Sequence, residues 1–385
     1  MRKKTFLSLG LVFGFLMQAL LVVGASAQTA EWTFMIYVCA DNDLEPSWAP
    51  NLEALEGVGS TADVHFVALV DLSTEDGSEL IHIEQGTHTV VETYSEQNLG
   101  DPQVAINFVT TAQSYWPANR YVLDFWDHGN GFESVCWDQG DEDWLDCPKL
   151  GQIMDAVGFI DIVGFDACDM AHAEAYYELI GHADYVVGSE ESIPLDGWPY
   201  GTDAQDLVNN PMQDTLTYAT ELVTNYGEYY GPLKGFNDVT LSAVDVGQLS
   251  ALTTAFTSWT SEMHANLGSQ ERKYTSALRG AKKMAGTEPA YFVDMVNYME
   301  QLLEEKNIPA SLVTASENVI TAVNNAVVAN WMAKRQKNCN GLHFFWSKAL
   351  YWSGSWASLG RDIYLSVAWG QTTGWTNFLD AYYGL

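Results

Sequence analysis

Between residues 33 and 189, short and nearly continuous apolar runs rich in β-branched and aromatic residues recur, with helical patterns between them. YVLDFW at 121–126 and DIVGFD at 161–166 are examples. Strands apolar on both sides need both faces covered, which is the signature of a largely parallel sheet between two helical layers. The runs 33–40, 64–72, 80–84, 121–126, 161–166 and 185–189 read as strands. Asp101 and Pro102 open a helix running to about residue 115, with proline in the first turn. Residues 170–180 carry helical periodicity as well. The first two hundred residues therefore read as an α/β fold, whose sites form beyond the carboxyl ends of strands.

After about residue 235 the pattern becomes mainly helical, over 246–267, 274–284, 291–305 and 310–332. A late strand at 341–346 is free to return to the first sheet. The division this suggests is a signal peptide at 1–27, a catalytic domain at 28–235, and a helical region at 236–385. Arg2, Lys3 and Lys4, the apolar run 6–23 and Ala25-Ser26-Ala27 give the first segment its signal-peptide reading. A secreted protein with no membrane attachment after signal removal is expected.

The formal net charge is -33, and between residues 28 and 233 the only basic residues are Arg120 and Lys149. No cationic face exists to displace counterions from phosphates, so nucleic-acid partners are excluded, and basic partners are favoured. Outside the cell, five cysteines imply pairs plus one free thiol. Cys136 and Cys147 bracket a short loop and are the first disulfide candidate. If Cys168 is the free one, Cys39 and Cys339 remain, although four cysteines allow three pairings. No C-x-x-C or paired-histidine spacing points to zinc.

Two strand ends carry polar groups suited to chemistry. Asp127-His128-Gly129-Asn130-Gly131 follows the 121–126 strand, and Asp166-Ala167-Cys168-Asp169-Met170 follows the 161–166 strand. Neighbouring parallel strands would bring His128 and Cys168 to one edge. There the imidazole serves as base for the thiol and later as acid for a leaving amine. The amides of Gly129 and Cys168 would form an oxyanion hole. His172, four residues beyond Cys168, is a competing base if a helix has already begun.

These pieces stand in an order that resembles the clostripain family of cysteine peptidases, which share the fold of caspases, gingipains and legumain. The matching stretches are WTFMIYVCADNDL at 32–44, DHGNG at 127–131, GFDAC at 164–168, SEE at 189–191 and GWPY at 197–200. GLHFFW at 341–346 and TGWTNFLDAYY at 373–383 complete the set. The resemblance implies a caspase-like three-layer sandwich and a catalytic dyad of His128 and Cys168, with no cofactor needed for the chemistry. It implies protein or peptide substrates cut after Arg or Lys, through a specificity pocket lined by Asp166 and Asp196. Calcium dependence and self-cleavage between His128 and Cys168 are further family features. The acidic loop 138–146 lacks the spacing and turn glycine of an EF-hand, and Lys149 is the only basic cleavage site in the segment. Asp169 departs from the family, which carries a hydrophobic residue there. It either raises the thiol pKa or points to solvent and extends the acidic field. The alternative function is a secreted binding module using its many aromatic residues for glycans or peptides. Oligomeric state is left open.

Overall fold

The computed structural model describes residues 29–75, 77–284 and 290–385, so the expected signal peptide lies outside the described residues. A nine-stranded sheet forms the centre. Its strands in chain order are β1 (Ala30–Ala40), β2 (Val64–Leu72), β3 (Glu79–Glu84), β4 (Thr87–Thr93) and β5 (Ala118–Trp126). A separate two-stranded ribbon, β6 (Val135–Asp138) and β7 (Asp143–Leu145), precedes β8 (Ile160–Asp166), β9 (Ala183–Gly188) and β10 (Thr240–Asp245). β11 (Ala290–Asp294), β12 (Val327–Met332) and β13 (His343–Ser347) follow. Across the main sheet the order is β12-β10-β9-β8-β5-β1-β2-β3-β4. The run from β9 to β2 is parallel, and antiparallel strands flank it on both sides.

Both faces are covered, as the continuous apolar strands require. Along β1, Phe34, Ile36 and Val38 pack with α1 (Glu45–Val58), α5 (Tyr200–Asn209) and α6 (Thr215–Tyr230). Met35, Tyr37 and Cys39 face the other layer, which holds α2 (Pro102–Tyr115), α3 (Cys147–Val157) and α4 (Ala173–Tyr177). That layer also contains α7 (Leu249–Gly280), α8 (Met295–Leu303) and α9 (Ala310–Ala326). This is a mostly parallel three-layer sandwich. α2 begins as its sequence predicts, with the Asp101 carboxylate accepting from the Gln103 amide at 2.9 Å.

The later half departs from the sequence reading. Helical periodicity stops at Ala326, and VVANWM becomes β12, an edge strand antiparallel to β10. A half-buried edge strand with β-branched and aromatic residues cannot be told from a helix end by apolar spacing. β11 replaces the expected start of a helix at 291, and β13 pairs with it in a second small sheet instead of joining the first. The two helices expected from 246 to 284 are largely one, α7. Only Ala173–Tyr177 of the 170–180 stretch is α-helical. Trp32, Trp198, Trp259, Trp346, Trp352, Trp369 and Trp375 are fully buried, so these tryptophans build the core and form no aromatic binding surface.

Candidate active site

β5 and β8 are parallel neighbours with Trp126 opposite Asp166, and both strands end there. Two residues further on, His128 and Cys168 emerge at the same carboxyl edge. The two turns touch: a Cβ at Gly129 would sit 2.3 Å from the Cys168 carbonyl oxygen and 3.0 Å from Ala167 Cβ. Only glycine permits that approach. Among the described residues, the amides of Gly129 and Cys168 have no acceptor, which leaves two donors where the turns meet. Asp169 continues the Cys168 turn at φ 60, a left-handed conformation that Asp tolerates better than most residues.

Leu44, Trp126, His128, Asp166, Cys168 and residues 193–195 line a cleft of about 120 Å³. The Cys168 thiol accepts from the Ile193 amide at 3.3 Å. Burial pushes its pKa up to about 11, and the neighbouring Asp169 charge adds to the rise. Asp169 is itself buried and does not point to solvent. Burial, reinforced by Glu191, raises its carboxyl to about 8. In this resting arrangement the thiol is neutral. His128 is held by Asp43, whose carboxylate lies 2.9 Å from Nε2. Sequence reasoning missed Asp43, yet it stands just past β1 at the same carboxyl edge, so the strand-end rule points to it. Asp127 anchors the loop beneath His128 by accepting from Asn42 Nδ2 at 2.8 Å and from the Trp137 amide.

Asp166 is buried at the floor of the cleft. Its Oδ2 accepts from the Trp198 amide and the Tyr200 hydroxyl, both at 3.0 Å, while Oδ1 has no partner. Asp196 does not join it. That side chain is exposed, with the Tyr229 hydroxyl 3.4 Å away. Asp124, on β5 beneath Asp166, was also missed in the sequence. An acidic residue at alternate spacing within an apolar strand was the available signal.

Other candidates fall outside the cleft. His172 is fully buried, 3.0 Å from Glu174 and 3.1 Å from His343, and is committed to packing. Lys149 lies in the first turn of α3, its ammonium held by Asp143 at 2.6 Å and by the carbonyls of Gly100 and Trp144. The expected Cys136–Cys147 disulfide is not formed, and all five cysteines are free. Cys136 N–H donates to the His128 carbonyl at 3.2 Å, which folds β6 back so that its buried thiol faces Cys39 in the same core cluster. Among the described residues no group of His, Cys, Asp or Glu is arranged to hold a metal. In the acidic loop Asp138 accepts from the Leu99 and Asp141 amides, and Asp143 pairs with Lys149 and Asn98.

A mostly parallel α/β sandwich with a thiol and an imidazole at adjoining strand ends is the architecture of caspase-like cysteine peptidases. A family model described as the clostripain family matches residues 36–381, and the chain belongs to that family. Clostripain from Hathewaya histolytica is 31% identical over 185 residues, covering 38% of this chain and 35% of the relative, about a third of its length. Two solved structures share the fold. A secreted C11 cysteine protease from Bacteroides thetaiotaomicron bound to an irreversible peptide inhibitor is 21% identical, with a TM-score of 0.70. It covers 90% of this chain and 99% of its own. An inactive zymogen C11 protease from Parabacteroides distasonis is 20% identical, with a TM-score of 0.71, covering 90% and 98%.

Proposed function

We propose that this chain is a secreted cysteine endopeptidase that cuts after Arg or Lys, working through Cys168 and His128. One observation carries the reading: a thiol, an imidazole and a buried carboxylate oxygen without a partner line the same cleft. Substrate displaces the Ile193 segment from the thiol and brings a basic side chain to Asp166 Oδ1, where charge and hydrogen bonding select it over neutral residues. His128 takes the proton from Cys168, and the thiolate attacks the carbonyl carbon. The Gly129 and Cys168 amides hold the oxyanion. The imidazolium then protonates the leaving amine, and water hydrolyses the thioester. Asp196, at the rim, adds negative potential along the approach. Residues 28–235 hold these groups, and residues 236–385 complete the sheet and the second helical layer.

Secretion is supported by the signal-like N-terminus. Among the described residues no helix is long and apolar enough to cross a membrane. The decisive assay is hydrolysis of Arg-amide and Lys-amide peptides, with and without Ca²⁺. Turnover sensitive to iodoacetamide, lost in Cys168→Ala and in His128→Ala, is expected. Asp166→Asn should raise KM for Arg substrates more than it lowers kcat. Absence of turnover on the whole panel would sink the proposal and favour a binding protein.

A further inference from the structure

The Asp166 carboxyl at the floor of the cleft has a second buried carboxyl, Asp124, beneath it. Asp124 projects from β5 and Asp166 from the end of β8. The Asp166 amide donates to Asp124 Oδ1 at 3.1 Å. The Tyr200 hydroxyl lies between them, 2.7 Å from Asp124 Oδ2 and 3.0 Å from Asp166 Oδ2. A hydroxyl has one proton to give, so it donates to one carboxyl and accepts from the other. The second bond exists only if that other carboxyl carries a proton of its own. Both side chains are buried.

We infer that Asp124, Tyr200 and Asp166 act as one proton-sharing unit that sets the charge of the specificity pocket, and that a basic substrate side chain enters by displacing a proton from this unit to solvent. The inference rests on the pocket reading above and makes Asp124 a specificity-determining residue. Asp166 Oδ1 is the oxygen left open to the guest. Burial raises the Asp166 carboxyl to about 8, with the Asp124 charge adding to it, and raises Asp124 to about 7. The surrounding titratable groups supply no cation to oppose this. Among the described residues they are Asp203 from α5, the tyrosines of α6, Cys168 from the β8 turn, Cys136 from β6 and Asp127 just past β5. His128, also lining the cleft, is engaged with Asp43. An arriving guanidinium or ammonium then brings a full positive charge to a floor where the described residues place none. It stabilises the ionised form and releases the proton.

The test is titration calorimetry of benzamidine, an amidinium the size of an arginine head group, in buffers of different ionisation enthalpy. Close to one proton should be released per molecule bound at about pH 6, falling towards none at about pH 9. Affinity should rise up to about tenfold per pH unit between. Asp124→Asn removes the neighbouring charge and should move the end of proton release to lower pH. Tyr200→Phe removes a hydrogen bond that favours ionisation and should move it to higher pH. General loosening of the pocket does not give opposite directions. If Asp124→Asn fails to fold, Tyr200→Phe alone decides. Benzamidine binding without proton release at about pH 6, or unshifted profiles in both variants, overturns the inference but leaves the pocket reading standing. No binding at any pH, with no turnover of Arg peptides, overturns both.

Discussion

Replacing Gly129 with alanine tests whether the contact between the two strand-end turns is what builds the catalytic centre. The added Cβ would meet the Cys168 carbonyl oxygen at 2.3 Å, Met170 Cγ at 2.9 Å and Ala167 Cβ at 3.0 Å. The nearest of these is backbone, so the side chains cannot relieve the overlap by changing rotamer. A normal carbon–oxygen contact lies nearer 3.3 Å, so the turns must part by about 1 Å. Overpacking of this kind costs about 1–3 kcal/mol of stability. The catalytic cost is larger in its consequence, because both proposed oxyanion donors belong to the residues being separated. Losing one such donor costs about 100-fold in kcat, or ~2.7 kcal/mol of transition-state stabilisation. KM should change little, since Asp166 and the pocket floor are not displaced. The control is Gly57→Ala in α1, where nothing lies within 4 Å of the new Cβ. There the helix should gain roughly 0.5–1 kcal/mol with kcat unchanged. Steady-state kinetics on an Arg-amide peptide, with thermal unfolding of both variants, make the comparison. A Gly129→Ala enzyme within about threefold of wild-type kcat would refute the reasoning.

Three further outcomes are expected. Burial holds the carboxyls of Asp71, Glu133, Asp166 and Asp169 up to about 8 and Asp124 to about 7, far above their values in an unfolded chain. Between about pH 4 and pH 8 the unfolded state therefore binds fewer protons, and stability falls as pH rises. Thermal midpoints that climb from pH 5 to pH 8 would contradict this. Asp169→Asn, compatible with φ 60, removes a charge that opposes the thiolate as pH passes about 8. Burial contributes more than Asp169 to the elevated thiol pKa, so the variant should gain at most about tenfold in iodoacetamide alkylation rate near pH 9. An unchanged rate profile would count against it. Lys149 should not be a self-cleavage site, because its backbone is helical and its ammonium carries three partners. N-terminal sequencing of purified active protein should find no chain beginning at Leu150, and one that disappears in Cys168→Ala would defeat the expectation.

Much of the fold was legible because its logic is local. Continuous apolar strands separated by helical stretches force a covered parallel sheet, and the end of a strand marks where polar chemistry emerges. That rule picked out His128 and Cys168 as candidates, and the family resemblance gave them their catalytic reading. β12 and β11 were not legible, since a short apolar run at an element boundary suits a helix end and an edge strand equally. The cysteine pairing failed for a related reason. Separation along the chain made Cys136 and Cys147 neighbours, but the turn of β6 at φ 58 directs Cys136 to Cys39.

The sequence by itself determined the sandwich, the acidic character and the family resemblance, and it singled out His128 and Cys168 as candidates, because each is written in composition, periodicity or a short motif. Only the tertiary structure decided which acids share the cleft. Asp166 and Asp196 looked equivalent as charges, yet one is buried with an open oxygen and the other faces water. Asp124 and Asp43 reach the site from strands β5 and β1, far from Cys168 in the chain. Sheet register, which no single segment encodes, is what brings them to its edge.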